Sequence, residues 1–328
     1  MLSNGPRTAS RVELWLGVGL FALGLLLPWI VYPVLAMNIV VWALFAVGFN
    51  LLLGYTGLLS FGHAMFFGGA SYVTGIAILH AHLPMPLALL AGAAYAALLA
   101  LAVGALSIRR QGIYFAMITL AFAQLIYFFV SGAFIGVTGG ENGLQGVPRG
   151  TFFGIPLQHD RVMYYVLFAI TAAVVAFVVR VIHSPFGQVL KAIRENEQRA
   201  RSLGYDVDRF KLMAFVLSGA VSGLAGGLLV VFQHFTVMDN VDWRTSGEVV
   251  MMTLLGGMGT VYGPIVGAAF YLLLSDRLAV LVNAPGVFIG GIFIVMVLVF
   301  RRGIVGEILA RRDARRARAR AEAERIGA

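Results

Sequence analysis

The segment GYTGLLSFGHAMFFGG (54–69) sets His63 beside Ser60 and Tyr55 among five glycines, inside a run from Leu14 to Ile108 that contains no Asp, Glu, Lys or Arg. An imidazole, a hydroxyl and a phenol in such surroundings can offer hydrogen bonds to a small polar solute. The same groups can serve the protein itself, since a lone histidine in an apolar segment is often a structural hydrogen-bonder. No second ionisable group lies nearby to complete a metal site. His80 and His82 form an HxH pair in a short turn, too few ligands for a metal, and solvation is the plainer role. The chain has no cysteine, which removes disulfides, thiolate catalysis and cysteine metal sites.

Nucleotide chemistry is also missing. A phosphate-cradling loop needs Gly-Lys-Ser/Thr, yet the two lysines, Lys191 and Lys211, follow Leu190 and Phe210. ATP hydrolysis, if the protein depends on it, belongs to another subunit. A proton- or sodium-coupled carrier commonly places carboxylates within its spans. Here Glu13, Glu141, Asp160, Asp239, Asp242, Glu248 and Asp276 are expected at span ends or in loops. Sodium held by backbone carbonyls stays open on this argument. A passive channel needs no conspicuous charged segment, and Asn283-Ala284-Pro285 reverses the order of the water-channel motif. The glycine-rich stretch 136–150 lacks the strand–helix context of a nucleotide loop. Its amides could cradle a carboxylate, or it could be only a tight turn.

The elements that must position these residues are membrane helices. The chain of 328 residues is 60% hydrophobic and 12% charged, with mean hydropathy +0.89. A soluble domain carries about 25% charged residues, and apolar runs of ~20 residues match the hydrocarbon thickness. The sequence therefore reads as an all-α polytopic membrane protein of about 8–10 transmembrane segments. Spans are expected near 14–34, 36–54, 58–80, 85–107, 112–132, 162–182 and 212–234, with short pieces near 246–256 and 261–275 and a last span near 284–300. The first is a retained span and not a removed signal, because apolar sequence continues past Val34.

Arg109–Arg110 and the charged segment 183–211 mark the cytoplasmic side. With 246–275 as a re-entrant hairpin entered from outside, only Arg149, Arg161, Arg244 and Arg277 of the 24 Lys and Arg fall outside. Residues 1–13 are then a cytoplasmic N-terminus, 14–300 the membrane domain and 301–328 a basic cytoplasmic tail. The formal charge of +9 follows this pattern, so nucleic acid is not implied, and the tail is suited to anionic lipid headgroups.

LLGYTGLLSFG (52–62) and LLGGMGTVYG (254–263) share a double leucine followed by spaced glycines, one in each half of the chain. Paired Gly-interrupted segments point to an internal repeat with broken helices at a solute path. That makes Gly57, Gly62, Gly256, Gly257, Gly259 and Gly263 path candidates with Tyr55, Ser60 and His63. Close helix packing alone is the competing explanation.

In 183–211, Ser184-Pro185 reads as a helix start and Gly204 as the residue past its end. Glu195–Arg199 and Glu197–Arg201 have favourable i,i+4 order, and Leu190, Ile193, Ala200 and Leu203 make an apolar stripe. The mixed charges favour a protein partner over a lipid surface.

SPFGQVLKAIRENEQRARSLGYDVDRFKLMAFVLSGAVSGLAGGL closely resembles the coupling region of branched-chain amino acid ABC importer permeases of the LivM type. The resemblance extends to NLLLGYTGLLSFGHAMFFGGASY, TGGENGL (138–144), LLGGMGTVYGPIVGA (254–268) and FRRGIVG (300–306). The family usually has Pro-Arg-Gly where this chain has Arg302 before Gly303, a difference confined to a turn. The resemblance implies a permease subunit of the bacterial cytoplasmic (inner) membrane with both termini inside. It would work with a homologous second permease, two ABC ATPases that use ATP and Mg, and an extracytoplasmic solute-binding protein. The chain itself would bind no cofactor. Arg194, Glu195, Asn196, Glu197, Arg199, Ala200 and Gly204 would then lie in the loop seated in the ATPase. Thr138, Gly139, Gly140 and Asn142 would lie on the face met by the binding protein, as further path candidates. The solute is expected to be a branched-chain or related amino acid, with urea or amides as alternatives.

Overall fold

The computed structural model describes residues 6–282, 285–300 and 302–312. Residues 1–5 and most of the basic tail, 313–328, lie outside the described residues. The helices are α1 (Pro6–Ile30), α2 (Pro33–Thr56), α3 (His63–Leu79), α4 (Met85–Ser107), α5 (Ile113–Phe128, running into a π turn Phe129–Ala133) and α6 (Ile135–Thr138). They continue as α7 (Asp160–His183), α8 (Pro185–Glu195), α9 (Glu197–Ser202), α10 (Val207–Gln233), α11 (Trp243–Gly256), α12 (Gly263–Leu281) and α13 (Pro285–Val299). A last helix, α14, covers 303–312. Among the described residues, six helices are long and apolar enough to cross a membrane: α2, α4, α5 with its π turn, α7, α10 and α12. The all-α polytopic architecture is as expected.

α2 is the centre of the bundle. It is apolar all round, every residue from Ala43 to Thr56 is buried, and it packs against α7, α10, α11 and α12. A helix without a polar or lipid-facing side belongs inside. α1 and α13 lie at the periphery, exposing Trp15, Phe21 and Trp29, and Val287, Phe288 and Leu298, as lipid contact allows. α10 lies against α3 and α4 through a row of small residues, Gly219, Gly223, Gly226 and Gly227. A Cβ at Gly226 would run into the Phe67 carbonyl, and one at Gly223 into Ala96 Cβ.

Two expected spans need correction. The third does not start at 58, because Gly57–Gly62 is unwound and α3 begins only at His63. In the 246–275 region two antiparallel helices do form, Gly256 against Gly263 and Gly267 against Met252. However, α12 runs on to Leu281 and is of spanning length. Its start lies near Arg194 of the charged segment, while Asp276 near its end accepts a hydrogen bond from Tyr32 in the α1–α2 turn. The hairpin therefore reaches from one end of the bundle to the other and is no shallow loop.

At the end opposite the charged segment, β1 (Leu144–Gln145) pairs with β4 (Phe235–Thr236), and β2 (Thr151–Phe152) with β3 (Ile155–Pro156). Ser71 Oγ of α3 meets Thr236 Oγ1 at 2.6 Å, which ties the loop to the bundle.

Candidate functional site

α2 ends because Gly57 adopts a left-handed conformation, φ 76°, and returns its N–H to Leu53 O. The last carbonyls of such a helix need other donors. Arg194 Nη1, from the last turn of α8, donates to Gly54 O. One turn earlier, buried Asn50 grips the turn after α11 at two points. Its Nδ2 donates to Thr260 O at 3.0 Å, and its Oδ1 accepts from Gly259 N at 2.9 Å. Gly259 itself has φ 77°. Thr260 Oγ1 closes that turn from within, donating to Gly257 O at 2.7 Å and accepting from Gly263 N at 3.1 Å.

The two glycine turns thus meet. A Cβ at Gly54 would lie 2.6 Å from Gly259 N, and one at Gly259 2.7 Å from Arg194 Nη1. Lys191 Nζ sits 5.7 Å from the Tyr55 ring centroid. The start of α14 joins the same cluster, with Gly303 packed on Gly257. Tyr55, Gly57, Gly257 and Gly259 therefore gather beside the charged segment, with Gly256 and Gly263 sealing the first turn of the α11–α12 hairpin.

His63, Ser60 and Gly62 form a separate group at the start of α3. His63 is fully buried, with its ring edge-on to Phe49, Phe66 and Phe215. Its Nε2 lies 2.8 Å from Ser218 Oγ, which donates its own proton to Gly48 O at 2.6 Å. Ser218 can then only accept from the ring, so Nε2 carries the proton; Nδ1 has no partner among the described residues. These bonds pin α3, α2 and α10 together. Ser60 Oγ accepts from Gly62 N at 3.2 Å, and Ala64 N donates to Ser246 Oγ of α11 at 2.8 Å. Gly62 is close-packed on Thr119 of α5.

The charged segment departs from the single helix expected over 185–204. It breaks at Asn196, φ −158° and ψ 99°, whose side chain caps α9 by accepting from Arg199 N. Glu195 and Arg199 straddle that break, and no ion pair joins them among the described residues. Glu197–Arg201 does form, at 3.1 Å. Glu197 also meets Lys211 Nζ of α10 at 2.6 Å, and Arg201 meets Asp208 at 2.6 Å. Burial pushes the Glu197 carboxyl up, but the hydrogen bonds and charges of Lys211 and Arg201 outweigh it and hold it below the usual carboxylate range. Leu190, Ile193 and Ala200 face inward, whereas Leu203 is 70% exposed and leaves the expected stripe. Ser184 Oγ donates back to Val181 O and does not cap α8. Gly204 has φ 87° and open space around it. Glu195, Asn196 and Arg199 are exposed.

Thr138, Gly139, Gly140 and Asn142 lie apart, at the opposite end. Thr138 is buried and donates to Val130 O at 2.7 Å. Gly139 and Gly140, φ 78° and 57°, shape the turn, and Asn142 is exposed. Glu248 is another correction: it lies within α11, hydrogen-bonded to Tyr271 of α12, and not at a span end. One apolar cavity of about 580 Å³ lies between α1, α2, α7 and α12, and no candidate residue lines it. Among the described residues no group of three His, Cys, Asp or Glu is placed to hold a metal.

Sequence reasoning missed Asn50, Ser218, Ser246 and Thr260. Asn50 had a visible signal, one of only two amides, with Asn38, in a helix otherwise almost wholly apolar. The other three are small hydroxyls whose partners lie across the bundle, and spacing along the chain carries no trace of them.

Residues 34–300 match the family described as branched-chain amino acid transport system / permease component. The chain is 27% identical over 300 residues to the high-affinity branched-chain amino acid transport system permease protein LivM of Salmonella typhimurium, covering 83% of this chain and 69% of that one. Against the protein of the same name in Escherichia coli K12 it is 27% identical over 294 residues, 81% and 68% of the two chains. A shorter match, 34% over 127 residues and 36% and 37% of the chains, is to the autoinducer 2 import system permease protein LsrC of Photorhabdus laumondii. No solved structure matches.

Proposed function

The chain belongs to the branched-chain amino acid transport system permease family, and from that premise we propose that it is one of two transmembrane subunits of an ATP-driven importer for branched-chain amino acids. It pairs with a second, homologous permease in the bacterial inner membrane, with both termini inside. Two cytoplasmic ATPases supply ATP hydrolysis at the 183–211 end, and an extracytoplasmic binding protein delivers solute at the 134–159 end. LivM relatives cover most of the chain, whereas the autoinducer permease matches about a third. Amino acids are therefore the favoured substrate class. Glu248 offers a half-buried carboxylate that a carrier could use, but a carrier does not require the mixed-charge segment.

The observation that carries this reading is the contact of Arg194 with both glycine turns, which gives a docked ATPase a short route to the broken helices. Aliphatic side chains suit the apolar surroundings, and backbone dipoles at the breaks can meet a zwitterion's charges. The test is to purify the tagged chain from membranes and reconstitute what accompanies it. An ATPase and a second permease should co-purify, and the liposomes should take up leucine, isoleucine or valine only with ATP and the binding protein. A chain that purifies alone and still moves solute would overturn the proposal.

A further inference from the structure

We infer that Asn50 and Arg194 are positioning residues that clamp the charged segment and the two glycine turns into one moving body, so that Arg194 works inside the subunit and not as an ATPase contact. The inference rests on the importer reading and names the parts that carry its motion.

Three observations support it. First, both side chains engage backbone and not other side chains. Arg194 serves Gly54 O, and Asn50 serves Thr260 O and Gly259 N. These are groups that an unwound stretch leaves without helical partners, and buried backbone polar groups require them. Second, the glycines are matched to the clamp. A Cβ at Gly259 would lie 2.7 Å from the Arg194 guanidinium, and one at Gly54 would collide with Asn50 Oδ1. Space has been kept clear for these two side chains. Third, the segment divides its work at Asn196. The guanidinium of Arg194, itself an exposed residue, is committed to Gly54 O, while the exposed residues after the break, Gln198, Arg199 and Leu203, are available to a partner.

Displacement of α8 must therefore either carry the end of α2 with it or strip Gly54 O of its partner, and Asn50 ties the second turn to the first. The first course costs less, since unpaired buried groups are expensive. The turns stand at the C-terminal ends of α2 and α11, so movement there shifts the ends of the two broken helices together. Lysine at 194 could reach Gly54 O but lacks the planar fork.

The experiment uses the complete complex in liposomes, with ATP hydrolysis and amino acid uptake read in one preparation. Arg194→Gln and Asn50→Ala should assemble with the ATPases and hydrolyse ATP within about twofold of wild type, while uptake per ATP falls roughly tenfold, the size of a typical coupling between sites. Arg194→Lys should recover part of the loss. Because Asn50 is buried and its variant could fail to assemble, Arg194→Gln at an exposed position decides the matter alone. Uptake and hydrolysis falling in proportion would show a docking contact and overturn the inference, as would variants that match wild type. Lack of ATP-dependent uptake in the wild-type complex would instead remove the importer reading itself.

Discussion

Lys211 is the least comfortable charge in the charged segment, with a side chain only 3% exposed and Glu197 as its ion-pair partner. A buried pair adds little when intact, but breaking it leaves one charge stranded, at about 3–5 kcal/mol. Glu197→Gln should therefore lower the thermal midpoint of the purified protein markedly. The pH dependence has a defined sign. Lys211 and Arg201 hold the Glu197 carboxyl below its ordinary value against the opposing effect of burial. The stabilisation is then complete above the ordinary carboxylate range and is lost as pH falls through the lowered value. Wild-type midpoints should drop on acidification, and the Glu197→Gln curve should be flatter; equal slopes would exclude Glu197 as the group responsible. Sequence order alone disclosed the Glu197–Arg201 pair, because i,i+4 geometry is local. Lys211 was beyond such reasoning, since the turn at Gly204 folds α10 back onto α9.

Helix ends were legible where glycine or proline dictated them. Gly57 and Gly204 both take the left-handed conformation that ends their helices, and Pro185 opens α8. The break at Asn196 escaped because Ala192 to Ala200 keeps an unbroken helical pattern, and an internal cap is visible only once Asn196 Oδ1 is seen on Arg199 N. The paired glycine segments correctly marked two places where helices stop, after α2 and after α11. They gave no sign that the interruptions touch, or that Asn50 bridges them. Other glycines serve approach and not flexibility, Gly226 above all. Since its Cβ would meet backbone, Gly226→Ala must push α3 from α10, with overpacking of about 1–3 kcal/mol. A lower midpoint and lower membrane yield are expected for Gly226→Ala, against near-wild-type behaviour for Gly286→Ala, where a Cβ meets open space. Equal behaviour of the two variants would contradict the packing.

At the scale of the whole molecule, the all-helical polytopic class followed from composition and hydrophobic length alone. The depth of the α11–α12 hairpin did not, since a short apolar piece reads the same whether it dips or crosses. Orientation can be tested directly, because the chain contains no cysteine. A membrane-impermeant maleimide applied to intact spheroplasts should label Ala81→Cys in the exposed turn after α3, and should reach Leu203→Cys only after the membrane is opened. The reverse pattern would invert the molecule and remove the ATPase from the 183–211 end.

The burial of α2 also constrains how the protein is made. α2 leaves the ribosome well before its partners α7, α10, α11 and α12, which lie more than a hundred residues further along. Until they arrive, its sides have only lipid or a chaperoning insertase to rest against. The bundle therefore closes late, around a helix made well before its partners, and nascent chains halted before α12 would present quality-control proteases with an unfinished groove.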